Sequence, residues 1–364
     1  MSIQPPTYTH RGQTFEVEED LYLGFKYRDV GSGSNLRLNV SASKSVDFKY
    51  AGGYQGAGDR FYAQSGEQLG NEGFSYQIGN NDPVFIPRAL TVQNSGYVYF
   101  EFNDPRVGAT NQEIEIPNSE IPDTGDVDIR IWSSDENHRP RTRLTGFELH
   151  NSLTQLSKVI ESKIPVTEDL IELDIRGPLE VPSLQRARNL QLLYLSDCSG
   201  TEFNFNGLTK LRQINVGNCD EVTKVSCENL DECIRITMYG NDNLESVNIS
   251  DCFNLQYCSI NNNPLLASIR CVDIFIKTGF VGYANTLYVS DLSMKSNNLG
   301  AEALNQIYRD LADTTGERDF TIEPQFINYY GATPYGVLDV TGNPGSASDD
   351  PSTATAKNWI VSGT

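Results

Sequence analysis

The sequence predicts a mainly β protein, with an N-terminal antiparallel β-sandwich or barrel, a solenoid, and a small α/β C-terminal cap. The first observation is a set of aliphatic residues that recurs every 21–22 residues from Leu190 to Ile274. The second is a series of short alternating runs before it, separated by Gly, Asn, Asp and Pro. The 18 Tyr and 16 Phe also indicate β structure, because aromatic side chains suit a pleated surface.

The recurring residues form two series that are half an interval apart. The first is Leu190, Leu193, Leu195, Cys198; Leu211, Ile214, Val216, Cys219; Cys233, Ile236, Met238, Asn241; and Leu255, Cys258, Ile260, Asn263. The second is Phe203, Phe205, Leu208; Val225, Cys227, Leu230; Val247, Ile249, Cys252; and Ile269, Cys271, Ile274. Coils this short cannot bury their apolar residues alone, so they must stack on one another.

The spacing fits the leucine-rich-repeat pattern, in which a Cys or Asn at the end of each strand turns inward to bond the next coil. The predicted structural ladder is Cys198, Cys219, Asn241, Cys252 and Asn263. All seven cysteines lie within the repeats, whereas a disulfide framework would spread through loops and a zinc site would use close Cys pairs. The pattern therefore predicts reduced, buried thiols.

Four segments follow from these patterns. Residues 1–14 are expected to form an arm that orders against a partner, because Pro5 and Pro6 stand among small polar residues. Residues 15–150 form the β-sandwich-like domain, and 151–298 form the solenoid. Residues 151–163 have helical spacing and predict a short helix that closes the end of the solenoid. Residues 299–364 form the cap, with a helix over 301–312 and a final strand over 359–361.

Aromatic residues gather around a Gly-rich stretch of the N-terminal domain. Tyr50, Tyr54, Phe61 and Tyr62 are candidates for stacking on sugar rings or contacting another subunit. The favoured alternative is that half of them fill the sandwich core. The Gly-rich stretches 31–34 and 52–58 predict plain loops, because no helix or Gly-Lys-Ser/Thr follows them as a phosphate site requires.

The net charge of the chain disfavours two classes of partner. The formal net charge of -20 disfavours binding to nucleic acid or to an anionic membrane. No apolar run approaches the roughly 18 residues that a membrane span needs, and the N-terminus lacks the pattern of a signal segment. We expect a protein that is made in, and released from, a cytoplasm.

Catalytic motifs are hard to find in this sequence. The three histidines, His10, His138 and His150, accompany no nucleophile elbow, metal-binding pair or calcium loop. We expect no catalytic, cofactor-binding or metal-binding residues and no cofactor. Carboxylates are abundant enough that a two-carboxylate glycosidase stays open as an alternative.

Three C-terminal stretches carry a resemblance. They are Asn297–Tyr308, Leu338–Gly345 and Asp349–Trp359. These residues resemble the C-terminal unit of leucine-rich virion proteins of tailed bacteriophages, particularly those that infect cyanobacteria. The cysteine-bearing coils are similar to the cysteine-ladder repeats of bacterial internalin-like surface proteins. The resemblance covers roughly residues 165–364.

The resemblance implies a non-enzymatic virion protein that is assembled in the host cytoplasm. Its β domain would dock to the particle, and its solenoid would act in host attachment or in protein contacts. The implied partners are other virion proteins, further copies of this chain, and a host surface glycan or protein. Two alternatives stay open: a capsid, neck or tail decoration protein with no receptor, and a polysaccharide-degrading appendage.

Overall fold

The chain divides into two compact units. Unit 1 comprises Met1–Pro182 with Arg186–Gln191, and unit 2 comprises Ser183–Gln185 with Leu192–Thr364. The computed structural model describes residues 3–28, 36–43, 60–61, 68–89, 100–101, 109–121, 126–141, 143–150, 159–255, 257–272, 291–311, 336–357 and 359–363. Both units are mainly β, as the sequence predicts.

Unit 1 holds antiparallel strands with a parallel pair at one edge. Its strands are β1 Thr7–His10, β2 Gln13–Glu16, β3 Tyr22–Arg28, β4 Leu36–Ser43, β5 Arg60–Phe61, β6 Gln68–Ile78, β7 Val84–Ala89, β8 Phe100–Glu101, β9 Ala109–Ile116, β10 Asp126–Asp135, β11 Leu144–His150, β12 Val159–Lys163 and β13 Glu172–Arg176. One sheet has the order β12-β3-β10-β6-β7. In the other, β4 pairs antiparallel with β9 and β11, and β11 pairs parallel with β13.

The N-terminal segment corrects the prediction of an arm that orders only against a partner. Strands β1 and β2 form a hairpin joined by Arg11 and Gly12, whose φ values of 50° and 78° suit a two-residue turn. Ile3 lies in a buried cluster with Val17, Tyr22 and Trp132. The segment thus packs on its own chain, because a tight turn and one buried side chain supply contacts that its composition does not reveal.

Strand β12 corrects the prediction of a helix over 151–163. Val159–Lys163 pairs antiparallel with β3, and residues 151–158 lie outside the described residues. Ile160, expected on a buried helical face, is 44% exposed. The β-branched Val159 and Ile160 suit an extended backbone, and β3 offers unpaired N–H and C=O groups. Pairing with a distant strand therefore overrides the local spacing.

Unit 2 is a β-solenoid of about seven coils. Its long sheet contains the parallel strands β14 Leu192–Ser196, β16 Gln213–Gly217, β18 Arg235–Tyr239, β20 Tyr257–Asn261, β22 Asp291–Ser293, β23 Gly336–Asp339 and β24 Trp359–Ser362. Its short sheet contains β15 Glu202–Asn204, β17 Lys224–Ser226, β19 Ser246–Asn248 and β21 Ser268–Arg270.

The register confirms the predicted stacking of coils. Leu193, Ile214, Ile236 and Cys258 pair in sequence along one buried column. Phe203, Val225, Val247 and Ile269 form the matching column of the short sheet. Both columns are closed to water, and the burial of a Leu or Ile side chain stabilises a fold by about 1.5–3 kcal/mol. The interior of the solenoid is thus one continuous apolar core.

Side-chain amides link successive coils at the end of the long strands. The Asn241 Oδ1 atom accepts the Cys219 N–H at 2.9 Å, and the Asn263 Oδ1 atom accepts the Asn241 N–H at 3.1 Å. Asn297 repeats the bond to the N–H of Asn263 at 3.0 Å. The Cys198 thiol stands at the start of this column and donates to the Ser196 carbonyl.

The predicted ladder residue Cys252 lies elsewhere, on the side of the coil that carries the short strands. Its thiol donates to the Cys227 carbonyl oxygen at 3.1 Å. All seven cysteines are buried, and none of them forms a disulfide. The asparagine column and Cys252 therefore belong to two different edges of the solenoid.

Helix α1, Ala301–Asp310, follows the last asparagine bond of the repeats. It agrees with the predicted helix over 301–312 to within its last turn, and it buries Leu304, Ile307 and Tyr308. Asp310 pairs with Arg270 of β21 at 3.1 Å. A second helix, α2 Ser352–Ala356, precedes β24, which agrees with the predicted final strand. No helix in the described residues has the length and apolar character needed to cross a membrane.

Candidate functional site

The outward positions of strands β14, β16, β18 and β20 form one surface of the sheet, here termed the tyrosine face, in which Arg235, Tyr239 and Tyr257 are the exposed residues. In register, its three rows are Leu192, Gln213, Arg235, Tyr257; then Tyr194, Asn215, Thr237, Ser259; then Ser196, Gly217, Tyr239, Asn261. Side chains alternate along a strand, so the aliphatic partners of these residues point into the core. Neighbouring residues of a row lie about 4.8 Å apart, which is close enough for direct contact.

Tyr239 occupies a place that a glycine makes available. A Cβ atom added at Gly217 would lie 2.5 Å from the Tyr239 Cζ atom, so the ring covers the Gly217 backbone. The ring is still 38% exposed. Any side chain at position 217 would push the ring away, and Gly217 therefore holds the ring flat against the sheet.

Tyr257 carries a cation on its ring. The Arg235 guanidinium carbon lies 4.7 Å from the centroid of the Tyr257 ring, and the two residues face each other in the register of β18 and β20. Contacts of this type contribute about 0.5–1 kcal/mol at exposed sites. The ring is 37% exposed, so the pair presents an apolar surface and a positive charge side by side.

Small polar groups lie between the rings. The Asn261 amide donates to the Ser259 hydroxyl at 2.8 Å and accepts from the Ser293 hydroxyl at 3.0 Å. The Tyr194 hydroxyl donates to the Gln213 Oε1 atom at 2.6 Å. These bonds fix the side chains in place, so the face offers amides and hydroxyls that lose little conformational entropy when they bind a ligand.

The tyrosine face carries no carboxylate, although the chain contains 48 acidic residues against 28 basic ones. Acidic residues begin at its borders: Asp197 in an adjoining turn accepts a hydrogen bond from Ser196, and Asp291 of β22 is the next residue in register after Tyr257. In the part of the chain that the structure describes, no carboxylate forms an ion pair with Arg235. The face is therefore a neutral to positive surface on an acidic protein.

The polar side chains around Ser75 and His138 form a buried network rather than a binding surface. Ser75 places its hydroxyl 2.9 Å from the His138 Nδ1 atom, but the serine is fully buried and also bonds Ser134. Burial lowers the pKa of His138. Asp135 bonds Arg139 and Arg141 rather than the imidazole, so these groups form a structural network.

Comparisons with known proteins were made for the whole chain. No family model, curated protein or solved structure matches it. Among the described residues, no group of three or more His, Cys, Asp and Glu side chains is placed to hold a metal ion.

The sequence-predicted aromatic residues are not part of this face. Tyr50, Tyr54 and Tyr62 lie outside the described residues, and Phe61 belongs to β5, which pairs with β8. Of the histidines, His10 ends β1 and His150 ends β11. Sequence reasoning missed the tyrosine face because its residues are far apart in the chain. The repeat interval could have found it, since Gly217 and Tyr239, like Arg235 and Tyr257, stand 22 residues apart.

Proposed function

We propose that this chain is a non-enzymatic structural protein of a bacteriophage particle, and that its solenoid binds the host surface through the tyrosine face. The observation that carries the binding role is the exposed, carboxylate-free surface built around Tyr239, Tyr257 and Arg235. Tyr and Arg are the residue types that dominate binding energy at interfaces. The bacteriophage assignment is supported by the resemblance of residues 165–364 to leucine-rich virion proteins.

The solenoid suits this role because repeats create an extended surface on a rigid core. We assign it to the leucine-rich-repeat class. This assignment is supported by the interval of 21–22 residues and by the Asn241, Asn263 and Asn297 bonds that join successive coils. Ligand-binding side chains on strands keep their positions more accurately than those on loops.

Unit 1 is proposed to attach the protein to the particle and to other copies of the chain. We describe it as a β-sandwich, which its two groups of largely antiparallel strands support. The hairpin of β1 and β2 offers a contact surface, because all four residues of β2 are exposed. Phe15 stacks on Tyr8 with ring centroids 5.5 Å apart and is 39% exposed.

The experiment separates the two roles with two variants of the full chain. Tyr239→Ala/Tyr257→Ala removes both exposed rings of the tyrosine face, and Phe15→Ala removes the exposed ring of the hairpin. Each purified protein is tested for its ability to block adsorption of particles to host cells. Each is also tested, by immunogold labelling, for incorporation into particles that lack the wild-type chain.

The proposal predicts opposite outcomes for the two variants. Tyr239→Ala/Tyr257→Ala should lose at least tenfold in blocking adsorption, since each ring contributes about 1 kcal/mol or more, and should still enter particles. Phe15→Ala should block adsorption normally and enter particles poorly. A wild-type chain that enters particles but never blocks adsorption would favour a decoration protein with no receptor and would overturn the proposal.

A further inference from the structure

We propose that the ligand of the tyrosine face is a polysaccharide that bears carboxylate groups. This inference rests on the proposed binding function of the face and names the chemistry of its ligand. A sugar ring would lie on Tyr239 or Tyr257, and its carboxylate would pair with the Arg235 guanidinium.

Charge complementarity is the first argument. A protein with a net charge of -20 repels anions over most of its surface, yet the twelve outward positions of the face contain no carboxylate. Arg235 stands inside this area with no ion pair among the described residues. A guanidinium offers two parallel N–H donors that match a carboxylate, so an acidic group of a ligand would find its partner at Arg235.

The position of Arg235 is the second argument. Its side chain lies along the Tyr257 ring, which limits its motion before a ligand arrives. A cation–π contact engages the charge of the guanidinium and does not require its five N–H donors. The cation is therefore held in place without its hydrogen-bonding capacity being used.

The shape of the face favours a sugar over an acidic peptide. Peptides in extended form bind by adding to a free strand edge or by placing apolar anchors in pockets. The four strands of the face are paired with one another, and their outward residues are rings, amides and hydroxyls with one aliphatic residue, Leu192. Flat rings suit the apolar side of a sugar, and Asn215, Thr237 and Asn261 suit its hydroxyls.

The test compares an acidic polysaccharide with its neutral ester and with an acidic polypeptide. The full chain is applied to polygalacturonate, to the same polymer with its carboxylates methyl-esterified, and to poly-glutamate, and binding is measured by affinity electrophoresis and calorimetry. We expect polygalacturonate to bind at least tenfold more tightly than its methyl ester, and the difference to shrink as salt is raised. Poly-glutamate should bind no better than the ester.

The variants assign the effect to individual residues. Arg235→Gln should reduce binding of polygalacturonate about tenfold or more, to the level of the ester, and leave binding of the ester unchanged, because only the charged pair is lost. Tyr239→Ala should weaken both. Lys224→Gln removes the same charge from the short sheet, where Lys224 is exposed, and should change neither. Thermal unfolding of each variant checks that the fold is intact.

Three results would overturn the inference: equal binding of the acid and the ester, Arg235-dependent binding of poly-glutamate, or binding of none of the three. The adsorption assay keeps this failure separate from failure of the proposed function. If the two tyrosines are still needed to block adsorption, the host-binding role stands and the ligand class is wrong. If they are not needed, the role itself is wrong.

Discussion

Asn241 is the position at which the stacking of coils can be tested most sharply. Its side chain is fully buried, and it joins three coils with one amide group. The Oδ1 atom accepts the Cys219 N–H at 2.9 Å, and the Nδ2 atom donates to the carbonyl oxygen of Val216 at 3.2 Å and to the Asn263 Oδ1 atom at 3.0 Å. Asn241→Ala removes all of these bonds and adds no new group.

The cost follows from the groups that the substitution leaves without a partner. A buried polar group that loses its partner destabilises the folded state by about 1–3 kcal/mol. The N–H of Cys219 is buried, so solvent does not readily replace the amide, and the carbonyl of Val216 loses one of two bonding directions. We expect the substitution to cost about 2–4 kcal/mol, with the loss confined to the coils that contain β16, β18 and β20.

Hydrogen exchange read by mass spectrometry is the appropriate assay. A chain with two compact units and a stack of coils does not give one free energy of unfolding, whereas exchange reports local opening. A loss of 2–4 kcal/mol should speed exchange in peptides from these coils by about 30- to 1,000-fold.

Asn243→Ala is the matched control. Asn243 is two residues away and donates to the Asp220 carbonyl at 2.6 Å, but it is exposed, so water can replace the bond. Its exchange should stay within a few-fold of wild type. Equal exchange in Asn241→Ala and Asn243→Ala would refute the role assigned to the buried amide.

Four further predictions concern other parts of the chain. Burial tends to raise the pKa of Asp135, but bonds from Arg139 and Asn137 hold it below the usual value, so its stabilising effect is present above about pH 4 and lost as the pH falls further. Fluorescence of the nearby Trp132 should therefore shift to the red on acidification, and should be shifted already at pH 7 in Asp135→Asn. Burial raises the pKa of Cys252 to about 12. Iodoacetamide at pH 8 should therefore label it only after unfolding. Gly217→Val should displace the Tyr239 ring and weaken host-cell binding as much as Tyr239→Ala does. Incubation of the full chain with host envelope glycans should release no new reducing ends.

Each of these predictions has a result that contradicts it. A Trp132 signal in wild type that follows the Asp135→Asn variant at every pH would show that the carboxylate does not hold the turn. Rapid labelling of Cys252 in the folded chain would show that the coil edge opens. Normal binding by Gly217→Val would show that the ring position is unimportant, and new reducing ends would revive the polysaccharide-degrading alternative.

The stacking of coils could be predicted because a repeat imposes the same neighbours on every copy. The interval that separates Leu193, Ile214 and Ile236 in the sequence places them side by side in space. The same arithmetic identifies Asn241 and Asn263 as partners. In such a fold the sequence separation of contacting residues is fixed, so a pattern in one dimension determines contacts in three.

Unit 1 offered no such regularity. Strand β12 forms because it pairs with β3. In that pairing Lys163 of β12 is in register with Gly24, a residue about 140 positions earlier in the chain. The tight turn depends on the left-handed backbone conformation of Arg11 and Gly12. The composition of the segment does not predict that conformation. Non-local pairing and turn geometry decided both cases, and neither leaves a periodic trace in the sequence.

The tyrosine face could be predicted from the sequence only in part. Its elements could be placed from the repeat, but its role depends on which outward residues carry rings and which carry charge. Aromatic residues close together in the chain, Tyr50 to Tyr62, drew attention because they are sequence neighbours. Tyr194, Tyr239 and Tyr257 share a surface only because the coils bring them together.

Hydroxyl-radical footprinting of the full chain on host cells tests the binding role of the tyrosine face most directly. Tyr239, Tyr257 and Phe15 are exposed aromatic side chains, so we expect all three to be oxidised in the free protein. We predict that Tyr239 and Tyr257 become protected from oxidation when the chain binds cells, while Phe15 keeps its reactivity. Protection of Phe15 with no change at Tyr239 and Tyr257 would contradict the account.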